Sequence, residues 1–253
     1  MRAKVKSLER ALKVLEAFTV DEPELGITQI SNKLGMNKST IFNIINTFEA
    51  NGYLRQDVKS GHYGLGLKVL QLSYNMYSTF DLRTTLSPLL SELSRQVGET
   101  VFLGMLSEDK TEVVYIDALL PSSRMTIRNN IGVRAPLYCT GIGKALLSTM
   151  TDEEVARVLQ GPLKRFTPNT IVDPATIIEE IALTRKRGFS VDYMEHEYGI
   201  KCVGIALYNL SKVPTCAVSI SGPSLRFSQE NIKRYGKILL ELKSKTEGKS
   251  SIP

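Results

Sequence analysis

Cysteine and histidine are scarce in this sequence, which limits the covalent and metal chemistry that it can support. The 253 residues include three cysteines and two histidines. Cys139, Cys202 and Cys216 are an odd number with no short pair spacing, so we expect no disulfide framework. A metal site formed by Cys139, Cys202 and His196 is conceivable, but the spacing matches none of the usual zinc-ligand patterns. We therefore expect neither a metal nor any other cofactor.

Long apolar runs are also missing from the sequence. No segment approaches the ~20 consecutive apolar residues that a membrane-spanning helix requires. The N-terminal stretch, residues 1–6, is basic, but no apolar signal core follows it. We therefore expect a cytoplasmic protein with no membrane partner.

The excess of positive charge is confined to the two ends of the chain. Residues 1–66 carry nine basic and seven acidic side chains, residues 67–225 carry sixteen of each, and residues 226–253 carry seven and three. A basic surface attracts polyanions, but an excess of two charges is weak support for a nucleic-acid partner. The excess at the C-terminal end is best interpreted as a solvated tail.

Residues 26–63 show an order of patterns (helix, tight turn, helix, hairpin) that is typical of a winged helix-turn-helix. Such a module needs only about 60–80 residues, so the chain is expected to contain a second domain. A preceding helix is predicted from an apolar series at helical spacing after Ser7, a candidate N-cap residue. Thr28 is the candidate cap of the second helix, and Gly35 permits the positive φ of a tight turn.

The third helix of this module is predicted to start near Lys38 and to expose a polar face. Short polar side chains and backbone N–H groups at a helix N-terminus bind phosphates. Asn43 is assigned to a base edge, because an amide can form two hydrogen bonds with adenine. Phe42 either contacts a thymine methyl group or belongs to the core. A two-stranded wing would place Lys59 and His62 near the DNA backbone or the minor groove.

These patterns favour double-stranded DNA as the partner of the module. A three-helix packing unit that does not bind DNA is the alternative, but the polar face, the glycine turn and the wing occur together. The candidate DNA-binding residues are Thr28, Asn37, Lys38, Ser39, Thr40, Phe42, Asn43, Asn46, Lys59 and His62.

Residues 67–82 form the predicted connection between the two domains. Leu67, Leu70, Leu72 and Tyr74 are spaced so that this helix is apolar on more than one face. Such a helix must be buried on more than one side. It is either a connector that also packs on a partner subunit or an ordinary core helix.

The second domain, residues 83–247, is predicted to combine antiparallel strands with helices on one or both faces of the sheet, an α+β architecture. A polar turn at residues 107–110 separates the first two strands, which is a hairpin pattern. Residues 248–253 are expected to form a polar tail. The predicted strands are Thr100–Met105, Glu112–Asp117, Met125–Arg128, Phe189–Tyr193, Cys202–Leu207 and Cys216–Ser221, and the predicted helices are Leu86–Val97, Lys144–Met150, Asp152–Leu159, Pro174–Arg187 and Gln229–Lys243.

Four segments of the second domain have the composition of a ligand site. A glycine-bearing loop within residues 136–147 opens a helix, and the N–H groups of a helix start can bind an anion; its spacing is not that of a P-loop. Asp192 supplies a carboxylate, residues 199–202 form a second glycine-bearing turn, and Ser219 and Ser221 lie on one face of a strand. Together such groups can fix a small polar ligand, although each one alone has an ordinary structural explanation.

Several segments of the N-terminal module resemble the IclR family of bacterial transcriptional regulators. They are Ser7–Glu16, Lys38–Thr40, Gly52–Leu54 and Tyr63–Gly66. The four site-like segments match the effector-binding, GAF-like domain of that family in order and spacing, and the resemblance covers nearly the whole chain. The family commonly carries an aromatic residue or histidine followed by arginine where this chain has Phe42 and Asn43. The operator sequence is therefore not transferred from relatives.

The resemblance implies a fold, a site and an effector class. The fold implied is α+β, with a winged helix-turn-helix at residues 1–66, a linker and dimerisation helix at residues 67–82 and a GAF-like effector-binding domain at residues 83–247. The effectors implied are small carboxylates or aromatic acids. The effector contacts implied are the backbone near Gly141 and Ile142 and the side chains of Asp192, Cys202, Ser219 and Ser221.

We expect a ligand-responsive transcription factor, repressor or activator, that acts as a homodimer or a dimer of dimers. A symmetric dimer places two recognition helices in successive major grooves of a palindromic or pseudo-palindromic operator, about 10 bp apart or a multiple of that. One alternative is a DNA-binding protein without a ligand. The other is an enzyme with Cys202 as nucleophile, His196 as base and Asp192 as the orienting carboxylate, which no local catalytic signature supports.

Overall fold

The computed structural model describes residues 5–78, 81–121, 131–209 and 213–246. The chain divides into two compact units, residues 1–79 and residues 80–253. The predicted strand at Met125–Arg128 and the polar tail at residues 248–253 lie outside the described residues. Among the helices that are described, none is long and apolar enough to cross a membrane.

The N-terminal unit has the order of helix, turn, helix and hairpin that the sequence predicts. Its elements are α1 Lys6–Glu16, β1 Glu24–Leu25, α2 Ile27–Leu34, α3 Lys38–Ala50, β2 Leu54–Gln56, β3 Tyr63–Leu65 and α4 Leu67–Ser78. Helices α1, α2 and α3 pack around one apolar core that includes Val14, Ile30, Ile41 and Ile45. The three short strands form an antiparallel sheet in the order β1-β3-β2.

Two predicted helix caps in this unit are wrong. Helix α1 begins one residue before Ser7, and helix α2 begins one residue before Thr28, so both residues lie inside their helices. The N–H of Gly26 donates instead to Oε1 of Gln29, at 2.7 Å. A glutamine three residues after the cap position satisfies the orphan N–H in this way. The predicted turn at Gly35 is confirmed by its φ of 63°.

Helix α4 is exposed along its length. Although all of its residues are described, none of them is buried. Leu67, Leu70 and Tyr74 are exposed by 82%, 66% and 70%. This exposure argues against an ordinary core helix, and packing on a partner subunit stays a prediction.

The C-terminal unit is built on a six-stranded antiparallel sheet with helices on both faces. Its elements are α5 Asp81–Val97, β4 Thr100–Leu106, β5 Glu112–Leu119, β6 Arg134–Pro136, α6 Gly141–Leu147, α7 Asp152–Val158, α8 Pro174–Arg187, β7 Ser190–Tyr193, β8 Ile200–Tyr208, β9 Pro214–Pro223 and α9 Gln229–Thr246. The strand order is β6-β5-β4-β9-β8-β7. Helices α5 and α9 pack on one face and helices α6, α7 and α8 on the other. The predicted α+β architecture is confirmed.

The predicted strands that fall on described residues are confirmed, with ends that move by one or two residues. Strands β4 and β5 form the predicted hairpin. In β9, Val218 and Ile220 belong to the core under α5 and α9, so Ser219 and Ser221 face α6. Strand β6 was not predicted, because three residues are too few to show an alternating pattern.

The first turn of α6 lies directly against β8. A Cβ atom on Gly204 would lie 2.4 Å from the carbonyl oxygen of Gly141 and 2.7 Å from Oγ of Ser190. The Ser190 hydroxyl donates a hydrogen bond to the same carbonyl oxygen, at 2.5 Å. A Cβ atom on Gly141 would lie 2.8 Å from Cβ of Cys202. The helix start therefore lies closer to the sheet than a residue with a side chain would allow.

We expect Gly204→Ala to lower the free energy of unfolding by about 1–3 kcal/mol, because the added methyl group overpacks a backbone contact that has little room to relax. Gly104→Ala is the matched comparison, because there the nearest backbone atom to the added Cβ, the carbonyl oxygen of Val114, lies at 3.3 Å instead of 2.4 Å. Urea unfolding of both variants measures the difference. A loss at Gly104 that equals or exceeds the loss at Gly204 would contradict the close approach of α6.

Candidate functional site

In the N-terminal unit, helix α3 presents a polar surface to solvent. It buries Ile41 and Ile45, while Asn43 and Asn46 are exposed. Phe42 is exposed by 47%, so it lies on the surface and the core interpretation is excluded. Of the other candidates for DNA contact, Thr28, Asn37, Lys38, Ser39 and Lys59 are exposed, and Thr40 and His62 are half-buried.

The turn of the wing is ordered by a single carboxylate. Oδ1 of Asp57 accepts hydrogen bonds from the N–H of Lys59 at 3.0 Å and from the N–H of Ser60 at 2.8 Å. The hydrogen bond from the Ser60 backbone lowers the pKa of the Asp57 carboxyl. This turn exposes Lys59, whereas the His62 ring packs near Gly26, where a Cβ atom would lie 3.1 Å from its Cδ2 atom. Lys59 is therefore the better placed of the two predicted wing residues.

In the C-terminal unit a row of three polar side chains crosses adjacent strands. Asp192 on β7 is paired with Cys202 on β8, and Cys202 is paired with Ser221 on β9. Side chains at paired positions of neighbouring strands lie on the same face. Ser219 follows on the same face of β9, with its Oγ atom 3.1 Å from Oγ of Ser221. Four residues predicted from distant parts of the sequence are thus brought together.

The start of α6 faces this row. The N–H groups of Gly141 and Ile142 belong to the first turn, so they have no acceptor within the helix. The next N–H, of Gly143, donates to Oγ of Thr140 at 3.0 Å. Because Gly141 lies against Cys202, both predicted elements of the site, the helix start and the polar row, occupy one location.

A cavity of about 30 Å³ lies at this location. Of the predicted effector contacts, Asp192, Cys202 and Ser221 line it, whereas Gly141, Ile142 and Ser219 do not. Six residues that were not among the predicted effector contacts also line it: Phe102, Tyr115, Thr140, His196, Glu197 and Ile200. The rings of Phe102 and Tyr115 are stacked at a tilt, with their centroids 5.2 Å apart. Both aromatic residues lie on predicted strands, but only the register between strands shows that they meet the site.

Burial dominates the electrostatics of the row. The Asp192 side chain is almost completely buried, and burial raises the pKa of its carboxyl from 3.8 to about 7, with a further contribution from the nearby charge of Glu195. Oδ1 of Asp192 accepts a hydrogen bond from the Glu195 N–H at 2.7 Å. Burial also raises the pKa of the Cys202 thiol well above its usual value. The row therefore presents neutral hydrogen-bonding groups below neutral pH.

The same electrostatics bears on the enzyme hypothesis. A nucleophilic cysteine needs a lowered pKa, whereas burial raises that of Cys202. His196 lines the cavity with Cys202 and Asp192, and burial lowers its pKa. Its ring stacks on Phe166, with centroids 5.0 Å apart. The arrangement is the opposite of an activated thiolate beside a charged imidazole.

A buried ion pair next to the row was also missed from the sequence. Lys144 on α6 and Glu195 after β7 have side chains that are each 2% exposed, with Nζ and Oε1 2.5 Å apart. The one available signal was a basic residue in a helix whose neighbours Ala145, Leu146 and Leu147 are all apolar. Among the described residues, no group of three or more histidine, cysteine or acidic side chains is arranged to hold a metal ion.

Both halves of the chain match models of known protein families. Residues 7–58 match the IclR helix-turn-helix domain. Residues 74–246 match the C-terminal domain of the bacterial transcriptional regulator IclR. The second match alone covers more than half of the chain.

Individual relatives agree with the family matches. The chain is 32% identical over 232 residues to the HTH-type transcriptional regulator XynR of Escherichia coli, covering 91% of each chain. It is similar to the crystal structure of an IclR transcriptional regulator from Alicyclobacillus acidocaldarius, with a TM-score of 0.86, 25% identity and coverage of 98% and 100%. An IclR homolog from Microbacterium hydrocarbonoxydans, crystallised with 4-hydroxybenzoate, shares the fold with a TM-score of 0.78, 20% identity and coverage of 94% and 98%.

The raised pKa of Asp192 predicts a pH-dependent stability. Between its ordinary pKa of 3.8 and about 7, the carboxyl is ionised in the unfolded chain but protonated in the folded one. The stability that the protonated group contributes is therefore lost as the pH rises through about 7. Between pH 5 and pH 8, we expect the free energy of unfolding of wild type, measured with urea, to fall by on the order of 3 kcal/mol more than that of Asp192→Asn.

Asp173→Asn serves as the control for this measurement. Hydrogen bonds from Thr176 lower the pKa of the Asp173 carboxyl, so the stability that this group contributes is lost only at lower pH. Between pH 5 and pH 8, the free energy of unfolding of Asp173→Asn is therefore expected to change with pH as that of wild type does. Parallel stability curves for wild type and Asp192→Asn would show that Asp192 is not protonated in the folded protein.

Proposed function

This chain belongs to the IclR family of DNA-binding transcriptional regulators, and we propose that a small carboxylate bound in its C-terminal unit controls its affinity for operator DNA. The observation that carries the proposal is the row of Asp192, Cys202 and Ser221 opposite the start of α6. This arrangement provides one face of neutral donors and acceptors and one helix start that favours negative charge.

For DNA recognition, we propose that α3 enters the major groove. The exposed residues at its N-terminal end, Lys38 and Ser39, are suited to phosphates, and Asn43 one turn later is suited to the edge of an adenine. Lys59 at the tip of the wing is suited to the backbone beside the groove. A homodimer or dimer of dimers would apply two such surfaces to a palindromic operator.

For the effector, the protonation state of Asp192 favours a carboxylate ligand. An ionised carboxylate at this position would repel a second one, whereas a protonated Asp192, with a pKa of about 7, donates a hydrogen bond to it. The N–H groups of Gly141 and Ile142 supply the electrostatic attraction. A small hydroxyl or ring substituent on the effector would meet Ser221 and the rings of Phe102 and Tyr115.

The size of the cavity sets a condition on binding. A volume of about 30 Å³ holds about one or two water molecules, so an organic acid requires the walls to move apart. A movement of the cavity walls is a structural change through which effector binding can alter DNA binding. A coupling of ~1–3 kcal/mol between the effector and the DNA would alter operator affinity about 5–150-fold.

The small cavity also favours one alternative, a DNA-binding protein that has no ligand. A ligand that binds the folded protein but not the unfolded chain stabilises the fold, by an amount that grows with the logarithm of its concentration above the dissociation constant. A thermal shift of the purified protein with any member of a panel of small carboxylates, such as acetate, pyruvate and 4-hydroxybenzoate, excludes this alternative.

Asn43→Ala is expected to relax base preference at one operator position by ~1–3 kcal/mol, because the bidentate contact is lost while phosphate contacts remain. Lys38→Ala is the matched control, since loss of a phosphate contact weakens binding to all sequences uniformly. Selection of binding sites from a randomised DNA pool measures both. A profile for Asn43→Ala that matches wild type removes the base-reading role.

Asp192→Ala is expected to bind operator DNA as wild type does and to lose the effector response. Fluorescence anisotropy with DNA from upstream of the gene, with and without the carboxylate panel, measures both properties. Asp152→Ala, at an exposed position on α7, is the control and keeps the response. An unchanged ligand titration in Asp192→Ala would rule out the proposed pocket.

A further inference from the structure

Lys144 is a buried lysine on α6, the helix whose first turn carries Gly141 and Ile142. Its Nζ atom donates to Oε1 of Glu195 at 2.5 Å and to the carbonyl oxygen of Val191 at 3.0 Å. The same Oε1 atom accepts a hydrogen bond from the Tyr193 N–H at 3.2 Å. Neither Lys144 nor Glu195 lines the cavity, so the pair does not serve as a direct effector contact.

Stability does not account for this ion pair. Removal of two charges from water costs free energy that their attraction in the interior barely offsets, and apolar replacements of similar volume are often as stable or more so. The cost is raised here, because Oε2 of Glu195 is buried and has no hydrogen-bond partner among the described residues. The helix around Lys144 is otherwise apolar and buried. A different role is needed to explain the pair.

The pair fixes the segment that follows β7 from several sides. The Glu195 side chain is held by Lys144, and its carbonyl oxygen accepts a hydrogen bond from Oγ1 of Thr170 at 2.5 Å. The Glu195 N–H donates to Oδ1 of Asp192 at 2.7 Å. Met194, between them, has a φ of 64°, a conformation that is uncommon for a residue with a long side chain. The orientation of the Asp192 carboxyl therefore depends on where Glu195 is held.

We propose that the Lys144–Glu195 ion pair positions Asp192 relative to the first turn of α6, so that the two halves of the effector site keep a fixed spacing. The proposal rests on the proposed effector site. Lys144 lies one turn beyond Gly141 on the same helix, and its two acceptors lie on either side of Asp192, at Val191 and Glu195. One side chain thus sets the distance between the helix start and the carboxyl group.

The contact of α6 with the sheet does not depend on the pair. Gly141 is held on β8 by the absence of a side chain at Gly204 and by the hydrogen bond from Ser190. If the pair is replaced by apolar side chains, α6 is expected to stay in place while the segment from Asp192 to Glu197 loses its anchor. A positioning role and a general structural role therefore predict different results.

The test is hydrogen exchange of the full chain, without DNA or ligand, in the double variant Lys144→Met with Glu195→Leu. We expect the urea midpoint of the double variant to equal or exceed that of wild type. Amides within residues 192–197 are expected to exchange roughly tenfold faster or more, while those of β8 and β9 keep their wild-type rates. The amide proton of residue 195 is expected to move upfield in the NMR spectrum, because it no longer donates to the carboxyl group of Asp192.

The single variant Lys144→Met is the matched control. It leaves the Glu195 charge buried without its partner, so its urea midpoint falls below that of wild type and of the double variant. Wild-type exchange rates at residues 192–197 in a folded double variant would overturn the proposal. A uniform rise across β8 and β9 would also overturn it, because the pair would then serve general stability.

The exchange result is independent of the proposed effector function. If exchange rises locally as expected but the carboxylate panel fails to change operator binding by wild type, the positioning of Asp192 stands and the proposed function fails. Operator binding by the double variant is expected to match that of wild type, since the DNA-binding surface lies in the other unit.

Discussion

The first turn of α6 lies directly on strand β8, because neither Gly141 nor Gly204 carries a side chain. This close approach brings the helix start to the row formed by Asp192, Cys202 and Ser221 on three neighbouring strands. It also carries Lys144 to a position from which it reaches Glu195. The proposed effector site depends on this backbone contact. The Lys144–Glu195 ion pair, which we propose positions Asp192 in that site, depends on it as well.

The two units differ in how their functional surfaces are built. The proposed DNA-binding surface comes from one helix and one hairpin that are close together in the sequence, α3 and the β2–β3 hairpin. The core beneath it is formed by the same N-terminal unit. The proposed effector site draws on six elements, β4, β5, α6, β7, β8 and β9, whose residues lie up to about 120 positions apart. Antiparallel pairing brings the five strands together. Membership of the IclR family accounts for both units in one chain.

This difference explains what could be predicted from the sequence. Helical periodicity identified α3, and period-two alternation placed Ser219 and Ser221 on one face, because both are local patterns. The cap of α2 was missed, because the residue at the cap position is Gly26, which has no side-chain oxygen to mark it in the sequence. The pair of Lys144 and Glu195 was missed because its members are 51 residues apart, and Tyr115 because strand register cannot be read from one sequence.

The central claim is that a carboxylate in the C-terminal unit controls DNA binding. It is tested most directly by measuring the affinity for the carboxylate with and without operator DNA. The carboxylate that produces a thermal shift is titrated by calorimetry into the free protein and into its operator complex. Linkage requires the ratio of the two dissociation constants to equal the change in operator affinity that the same carboxylate causes, about 5–150-fold. The account predicts that the two dissociation constants differ by this factor. Equal carboxylate affinities in the presence and absence of operator would contradict it.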